Sequence, residues 1–332
     1  MRIHAASPGP LSPQYTRAEK RVAFAASMDG ISIFDSTTSE RPPYTHLVIA
    51  LSNLRYVRLG TGDAAVAVKF ATQIIGLQLA DEDGGSIYLR SDERDHTLVY
   101  TPGDPHDHTI GFELANEQAL QAAAAELENA GHAVRQGTAA ECEQRRVGAF
   151  VTFKEPTGTR IDLVAHAGHS GRPYAASRDA GITGFSHVGL YSMAPKRDEK
   201  FWTETCNARV SDWIGPAPLL RIDPVHHRIA LFPARRHGVQ HINHQVQSID
   251  DVMRAYYFLR EQGVAIRFGP GRHPTSGAVF LYFEGPDGMT FEYSTGVRLI
   301  EDEAQYKPRH FPFDQQSFCM WGARPAIPEF QV

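Results

Sequence analysis

An internal repeat is the strongest constraint on the fold of this chain, because repeated sequence patterns indicate repeated structural units. A shift of 131 positions aligns four residues of the first half with the second: Tyr56 with His187, Gly76 with Asn207, Asp81 with Asp212 and His96 with His227. A shift of 130 positions aligns residues 148–158 with 278–288, and Asp162 with Glu292. The chain is therefore interpreted as a duplication of a two-part unit.

Each part of the repeat has the same order of patterns: an apolar strand, an amphipathic helix, and two or three further strands. Helices are predicted over residues 63–75, 116–130, 194–206 and 248–262. Asn116 and Ser248 are suitable N-caps, and glycines at 76, 131 and 263 are suitable stop signals. The predicted fold class is α+β, with four βαβββ modules paired into two domains.

The domain boundaries follow from the repeat and from the composition of the two ends. We expect an N-terminal extension over 1–48, a first domain without metal over 49–170, a catalytic metal-binding domain over 181–298, and a tail over 299–332. The tail is rich in aromatic residues, which is typical of a segment that packs on a domain rather than a free coil. We interpret it as structural.

Composition narrows the class of protein. The chain has 332 residues, a formal net charge of -5 and 42% hydrophobic residues. An acidic balance argues against nucleic acid or an anionic membrane as partner, and no apolar run approaches the length of a membrane span. Three cysteines without C-x-x-C spacing favour reduced thiols over a disulfide framework. We expect a cytoplasmic protein.

Three residues on separate strand-like segments, His187, His241 and Glu292, are the candidate metal ligands. Two imidazoles and one carboxylate can form a facial triad that leaves positions on a divalent iron open for substrate and O2. Each also has an ordinary alternative: a histidine of the core for His187, and a surface carboxylate for Glu292. His241 competes with the nearby His237 and His244.

Strand alternation helps to choose among these residues, because every second side chain faces the same side of a sheet. His241 and Asn243 are predicted to share a face, with His244 on the other. The repeat places Tyr56, Thr109 and Asp162 at the first-half positions of the three ligands. A phenol and a hydroxyl are poor metal ligands at neutral pH, because both must first lose a proton. The first half is therefore predicted to be metal-free.

The three ligand segments, GFSHVG at 184–189, VQHINH at 239–244 and GMTFEY at 288–293, carry a family resemblance. Over roughly residues 50–298 the chain resembles the two-domain type I extradiol dioxygenases of the vicinal oxygen chelate superfamily. The resemblance implies Fe(II), or Mn(II), held by His187, His241 and Glu292. It also implies cleavage of a catechol-type ring with O2.

The same resemblance supplies three further site residues. The segment 226–231, HHRIAL, is similar to the stretch that provides the family's acid/base histidine, and its alignment favours His227 over the adjacent His226. His273 and Tyr282 are similar to groups that hydrogen-bond the substrate. The family usually has Asn-Asp where this chain has Thr275-Ser276. This difference touches the substrate pocket, so the size and charge of the catechol stay open.

Two other functions use related scaffolds. The segment 238–242, GVQHI, also resembles the second ligand motif of 4-hydroxyphenylpyruvate dioxygenase, although that enzyme does not account for His227, His273 and Tyr282. Glyoxalases, epimerases and drug-sequestering resistance proteins share the scaffold and use no O2. With the extradiol interpretation, the expected partners are a small catechol, O2 and further copies of the chain in a homo-oligomer.

Overall fold

The structure, a computed structural model, describes residues 48–331, and these residues belong to one compact unit. Apart from Val48, the predicted N-terminal extension lies outside the described residues. The order of elements confirms the predicted α+β class: four successive βαβββ modules begin at residues 53, 108, 182 and 239.

The first half contains eight strands: β1 (Asn53–Thr61), β2 (Gln78–Asp83), β3 (Ser86–Arg90), β4 (Leu98–Pro102), β5 (His108–Glu113), β6 (Arg135–Gln136), β7 (Val147–Lys154) and β8 (Arg160–Ala167). Its helices are α1 (Ala64–Lys69), continued by a π-helical turn over Phe70–Ile75, α2 (Glu117–Asn129) and α3 (Ala139–Arg145).

The second half contains β9 (Ile182–Ser192), β10 (Arg209–Ile214), β11 (Ala217–Arg221), β12 (Ile229–Pro233), β13 (Val239–Val246), β14 (Ile266–Arg272), β15 (Val279–Glu284), β16 (Thr290–Thr295) and β17 (Arg309–Phe311). Its helices are α4 (Pro195–Lys200), continued by a π-helical turn over Phe201–Thr205, α5 (Ile249–Glu261) and α6 (Gln315–Phe318). Short 3-10 turns lie at Pro286–Gly288 and Pro328–Phe330.

The predicted caps explain where the long helices begin and end. The Asn116 side chain accepts a hydrogen bond from the Ala119 backbone at 2.9 Å, and Ser248 forms a capping box with Asp251. Gly131 follows α2 with a φ of 88°, a left-handed conformation that glycine adopts without strain. All four predicted helices are therefore confirmed, although the first and third are short α-helices extended by π-helical turns.

Each half forms one sheet around an antiparallel pair of central strands. The strand orders are β2-β3-β4-β1-β5-β8-β7-β6 and β14-β15-β16-β13-β9-β12-β11-β10-β17. In each module the first strand pairs in parallel with the last. This arrangement places the metal-ligand candidates on three adjacent strands at the centre of the second sheet. The division into two separate domains at the predicted boundaries stays a prediction.

One face of the sheets packs on the helices in a large apolar core, and the other face is covered differently in each half. In the first half, α3 lies near Tyr56, Phe150 and Val164. In the second half, Phe318 and Phe330 of the tail pack on strand residues, and β17 pairs with β10. This packing supports the interpretation of the tail as a structural segment. Among residues 48–331, no helix is long and apolar enough to cross a membrane.

Candidate metal centre

The three proposed ligands lie side by side because of the strand pairing. β13 pairs antiparallel with β9 and parallel with β16, so that Asn243 stands opposite both His187 and Glu292. His241 lies two residues earlier on the same face. The Nε2 atoms of His187 and His241 are 3.1 Å apart, and Glu292 Oε2 lies 2.9 Å from the first and 3.4 Å from the second.

These separations fit a shared metal ion. Ligand atoms bound at about 2.1 Å and about 90° apart lie about 3.0 Å from one another. All three side chains are buried, and Glu292 Oε2 has no hydrogen-bond donor among the described residues. A buried carboxylate oxygen without a donor is costly, and a bound cation removes that cost. Among residues 48–331, this is the one cluster of three or more His, Cys, Asp or Glu ligands that converges in this way.

The protonation states are those that metal binding needs. Burial lowers the pKa of His241 to about 3, so its imidazole is neutral at pH 7. Burial acts to raise the pKa of the Glu292 carboxyl, but the neighbouring His187 and His273 outweigh burial and hold that pKa well below its usual range. The site therefore presents a neutral His241 imidazole and an ionised Glu292 carboxylate beside His187. That donor set suits Fe(II) or Mn(II).

Two neighbouring residues orient His241. Its Nδ1 donates a hydrogen bond to Gln240 Oε1, which leaves the lone pair on Nε2 and makes Nε2 available as a metal ligand. A bulge in the pairing of β13 with β9 occurs at Gln240 and accounts for adjacent strand residues meeting. Gly189 supplies the space, since a Cβ there would lie 2.3 Å from His241 Nδ1.

The three predicted catalytic residues lie around one cavity beside the proposed metal ligands. His227, His273 and Tyr282 all line a cavity that also reaches His241. His273 Nδ1 donates to the carbonyl oxygen of Phe318 at 2.8 Å, and the Tyr282 hydroxyl lies 3.2 Å from His273 Nε2. The remaining lining residues are Ile214, Leu219, Ala230, Phe232, Thr275, Ser276, Phe318 and Phe330.

The geometry also separates the competing histidines. The His227 ring lies 4.2 Å from the His187 ring, whereas His226 lies behind His227 and contacts Asp212. His244 packs near Phe185 and Phe291 on the helix-covered face, as strand alternation predicts. These contacts favour His227 as the acid/base candidate.

The corresponding place in the first half holds an internal ion pair. Arg145, the last residue of α3, donates to Asp162 Oδ2 at 2.6 Å, and the Tyr56 hydroxyl donates to the same oxygen at 3.0 Å. The guanidinium of Arg145 lies 4.0 Å from the centre of the Phe150 ring. An arginine thus supplies the positive charge beside the carboxylate. This arrangement supports the prediction of a metal-free first half.

Comparison with known families identifies the scaffold. The model of the Glyoxalase/Bleomycin resistance protein/Dioxygenase superfamily matches residues 53–163 and 184–293, once in each half. The two matches together cover more than half of the chain. The chain belongs to this superfamily. Members of the superfamily share the fold but catalyse different reactions, so the reaction of this chain must be inferred from its site.

Relatives within the superfamily carry dioxygenase names. An iron-dependent extradiol dioxygenase of Rhodococcus jostii is 26% identical over 278 residues, covering 77% of this chain and 93% of that protein. A manganese-dependent 2,3-dihydroxybiphenyl 1,2-dioxygenase of Geobacillus genomosp. 3 is 25% identical, with coverages of 76% and 87%. The crystal structure of BphC, a halotolerant catechol dioxygenase, superposes with a TM-score of 0.75 at 24% identity, covering 86% and 98% of the two chains.

Sequence reasoning missed several parts of this superfamily site. Gln240 precedes His241 directly, so simple alternation places it on the opposite face, and the sequence does not reveal the bulge that brings the two side chains together. Phe318 and Phe330 belong to the aromatic-rich tail, and the sequence does not indicate that they line the cavity. Their spacing among prolines and charges gave no periodic signal.

Proposed function

We propose that this chain is an extradiol dioxygenase that cleaves a catechol-type ring with O2 at a non-haem Fe(II) or Mn(II). His187, His241 and Glu292 are the proposed metal ligands. The observation that carries the proposal is the convergence of their three ligand atoms beside a cavity that also holds His227, His273 and Tyr282. The dioxygenase relatives support the same reaction.

The chemistry that a bound Fe(II) or Mn(II) supplies is Lewis-acid binding of the catechol oxygens and electron transfer to O2. His187, His241 and Glu292 would hold the ion, and the adjoining cavity would admit the catechol and O2. The surrounding side chains must then manage protons and hold the ring in place.

His227 is the proposed acid/base. It is buried, and burial lowers its pKa well below 6.5, so the imidazole is neutral and able to accept a proton. We assign it to take the proton of a catechol hydroxyl at Nε2 and to return a proton while the ring opens. His273 and Tyr282 are proposed to hydrogen-bond the substrate oxygens and orient the ring.

The cavity favours an uncharged ring. Its lining is mainly apolar and includes no Lys or Arg. Three arginines near the pocket segments are already paired: Arg221 with Glu303, Arg228 with Asp223, and Arg267 with Glu284. A carboxylated catechol would lose its hydration in this cavity without a cationic partner, which is costly. We therefore propose catechols with apolar substituents as the substrate class.

The two alternative functions account for fewer of the site residues than ring cleavage does. A 4-hydroxyphenylpyruvate dioxygenase reaction uses the triad but leaves His227, His273 and Tyr282 without a role. A non-oxidative glyoxalase or resistance function commonly draws its site from both halves of a repeat. Here the three proposed ligands all belong to the second half, and the first half holds the Arg145–Asp162 pair instead.

Anaerobic reconstitution tests the proposal. The protein is loaded with Fe(II), mixed with catechol, 3-methylcatechol or 3,4-dihydroxybenzoate, and exposed to O2. We expect O2 uptake and a yellow ring-fission product, fastest with the uncharged catechols. His241→Ala should abolish both signals, while the matched control His244→Ala retains them. Equal activity of both variants, or ring fission without added metal after chelation, overturns the proposal.

The cytoplasmic location, the homo-oligomeric state and the absence of nucleic-acid or membrane partners stay predictions from the sequence.

A further inference from the structure

A chain of hydrogen bonds lies behind His227, on the side away from His187. His226 Nδ1 lies 3.1 Å from His227 Nδ1, and His226 Nε2 lies 3.0 Å from Asp212 Oδ2. Asp212 and His226 have no exposed surface, and His227 is 7% exposed. The three residues thus form a buried chain of hydrogen bonds that ends at the cavity.

The tail keeps Asp212 ionised. Arg309 donates to this carboxylate three times: from its backbone N–H at 2.8 Å, from Nε at 3.1 Å and from a terminal nitrogen at 2.6 Å. Burial acts to raise the pKa of Asp212, but the hydrogen bonds from His226 and Arg309 outweigh it and hold the pKa below its usual value. An ionised carboxylate only accepts hydrogen bonds.

This fixes the proton positions along the chain. Because Asp212 accepts, His226 must carry its proton on Nε2. Burial lowers the pKa of His226 even though Asp212 opposes this, so the ring is neutral and its Nδ1 is an acceptor. His227 Nδ1 must then be the donor between the two rings. The lone pair of His227 is left on Nε2, for which no hydrogen-bond partner exists among residues 48–331.

We propose that Asp212 and His226 are positioning residues that hold His227 in the tautomer with an unprotonated Nε2. The inference rests on the proposed function, in which that nitrogen takes a proton from the bound catechol. The opposite tautomer would present an N–H to the substrate and offer no base. Neither positioning residue lines the cavity, so both act through His227.

The first half contains a structural counterpart that serves as a control. Asp95, at the position equivalent to His226, contacts His96 Nδ1 directly at 3.1 Å. Arg146 pairs with both Asp95 and Asp81. A carboxylate therefore also lies behind a histidine in the half without a proposed metal site, where substitution should leave turnover unchanged.

The test compares His226→Phe, which removes both hydrogen bonds, with His226→Gln, whose amide can still donate to Asp212 and accept from His227. The iron-loaded variants are assayed with 3-methylcatechol. We expect kcat to fall on the order of 10- to 100-fold in His226→Phe, the usual scale for a lost outer-shell partner. KM and iron content should be retained, and His226→Gln should recover much of kcat. Asp95→Asn is the matched control with parental kcat.

Asp212→Asn is the second variant, because its amide can donate to His226 Nε2 and so permit the opposite tautomer. We expect kcat to fall here also, with KM unchanged. Parental kcat in Asp212→Asn, or equal kcat in the Phe and Gln variants at position 226, overturns the inference. His227→Phe distinguishes failure of the positioning role from failure of the acid/base role. If kcat falls in His227→Phe but not in His226→Phe, only the positioning role fails. If His227→Phe keeps parental kcat, the acid/base assignment in the proposed function fails.

Discussion

The hydroxyl of Tyr56 lies 3.0 Å from a carboxylate oxygen of Asp162, at the positions where the second half holds His187 and Glu292. The two halves therefore hold interacting side chains at equivalent positions, but the residue types in the first half do not form a set of metal ligands. Arg145 supplies a fixed positive charge to Asp162, so the first half does not need a metal ion to balance the buried carboxylate.

Asp162→Asn should therefore leave metal content and turnover unchanged but lower stability. The change weakens a buried, charge-assisted hydrogen bond to Arg145, which we expect to cost about 2 kcal/mol of unfolding free energy. Urea denaturation measures the loss of stability, metal analysis measures the metal content, and ring-fission assays measure turnover. The double variant Asp162→Asn/Arg145→Gln should regain part of the stability. A metal ion seen at Asp162 by anomalous scattering would show a two-site protein instead.

Gly189→Ala should weaken metal binding without touching a ligand. The added Cβ would lie within 2.4 Å of two atoms of the His241 ring, so the imidazole must move. We expect metal affinity to fall on the order of 10- to 100-fold, as for other changes that misorient a ligand. Gly62→Ala is the matched control, because the closest atom to its Cβ would be 3.7 Å away. Equal iron affinity in the two variants, measured by competition with a chelator, would contradict this account.

The features of the fold and the site that the sequence predicts are those with a local sequence pattern. Strand alternation placed His241 and His244 on opposite faces, and the caps at Asn116 and Ser248 located two helices. Arg145 was not foreseen, because the helix that carries it has only seven residues, which is too short for a periodic signal. Its capping box at Thr138 and Glu141 was the available clue.

The parts that sequence reasoning missed depend on long-range contacts. The Asp212–Arg309 pair joins residues 97 positions apart, and nothing in either segment indicates its partner. The carbonyl of Phe318 that accepts from His273 belongs to the backbone, so no side-chain motif can report it. Such contacts follow from how the tail crosses the sheet, which local propensity does not determine.

Acid should destabilise the metal-free protein partly through His244. Burial lowers the pKa of this histidine to about 4, compared with about 6.5 in the unfolded chain. The neutral ring therefore contributes stability that is complete above pH 6.5 and is lost as the pH falls toward 4. The loss is up to about 3 kcal/mol over that window.

His244→Leu removes this titration. In urea denaturation at pH 7.5 and pH 5, the variant should lose less stability between the two pH values than the parent protein does. Comparing the pH dependence, rather than the absolute stability, cancels the effect of the change in side-chain shape. An identical pH dependence in the two proteins would show that His244 is already protonated when folded or is accessible to water.

The proposed reaction inserts both atoms of O2 into a catechol at an ion held by His187, His241 and Glu292. Its most direct test is turnover of 3-methylcatechol by the iron-loaded protein under 18O2, followed by rapid mass spectrometry of the ring-opened product. We expect a product that gains both 18O atoms, and no such product from His187→Ala, which should also lose its iron. A product without 18O, or full activity and iron content in His187→Ala, would contradict it.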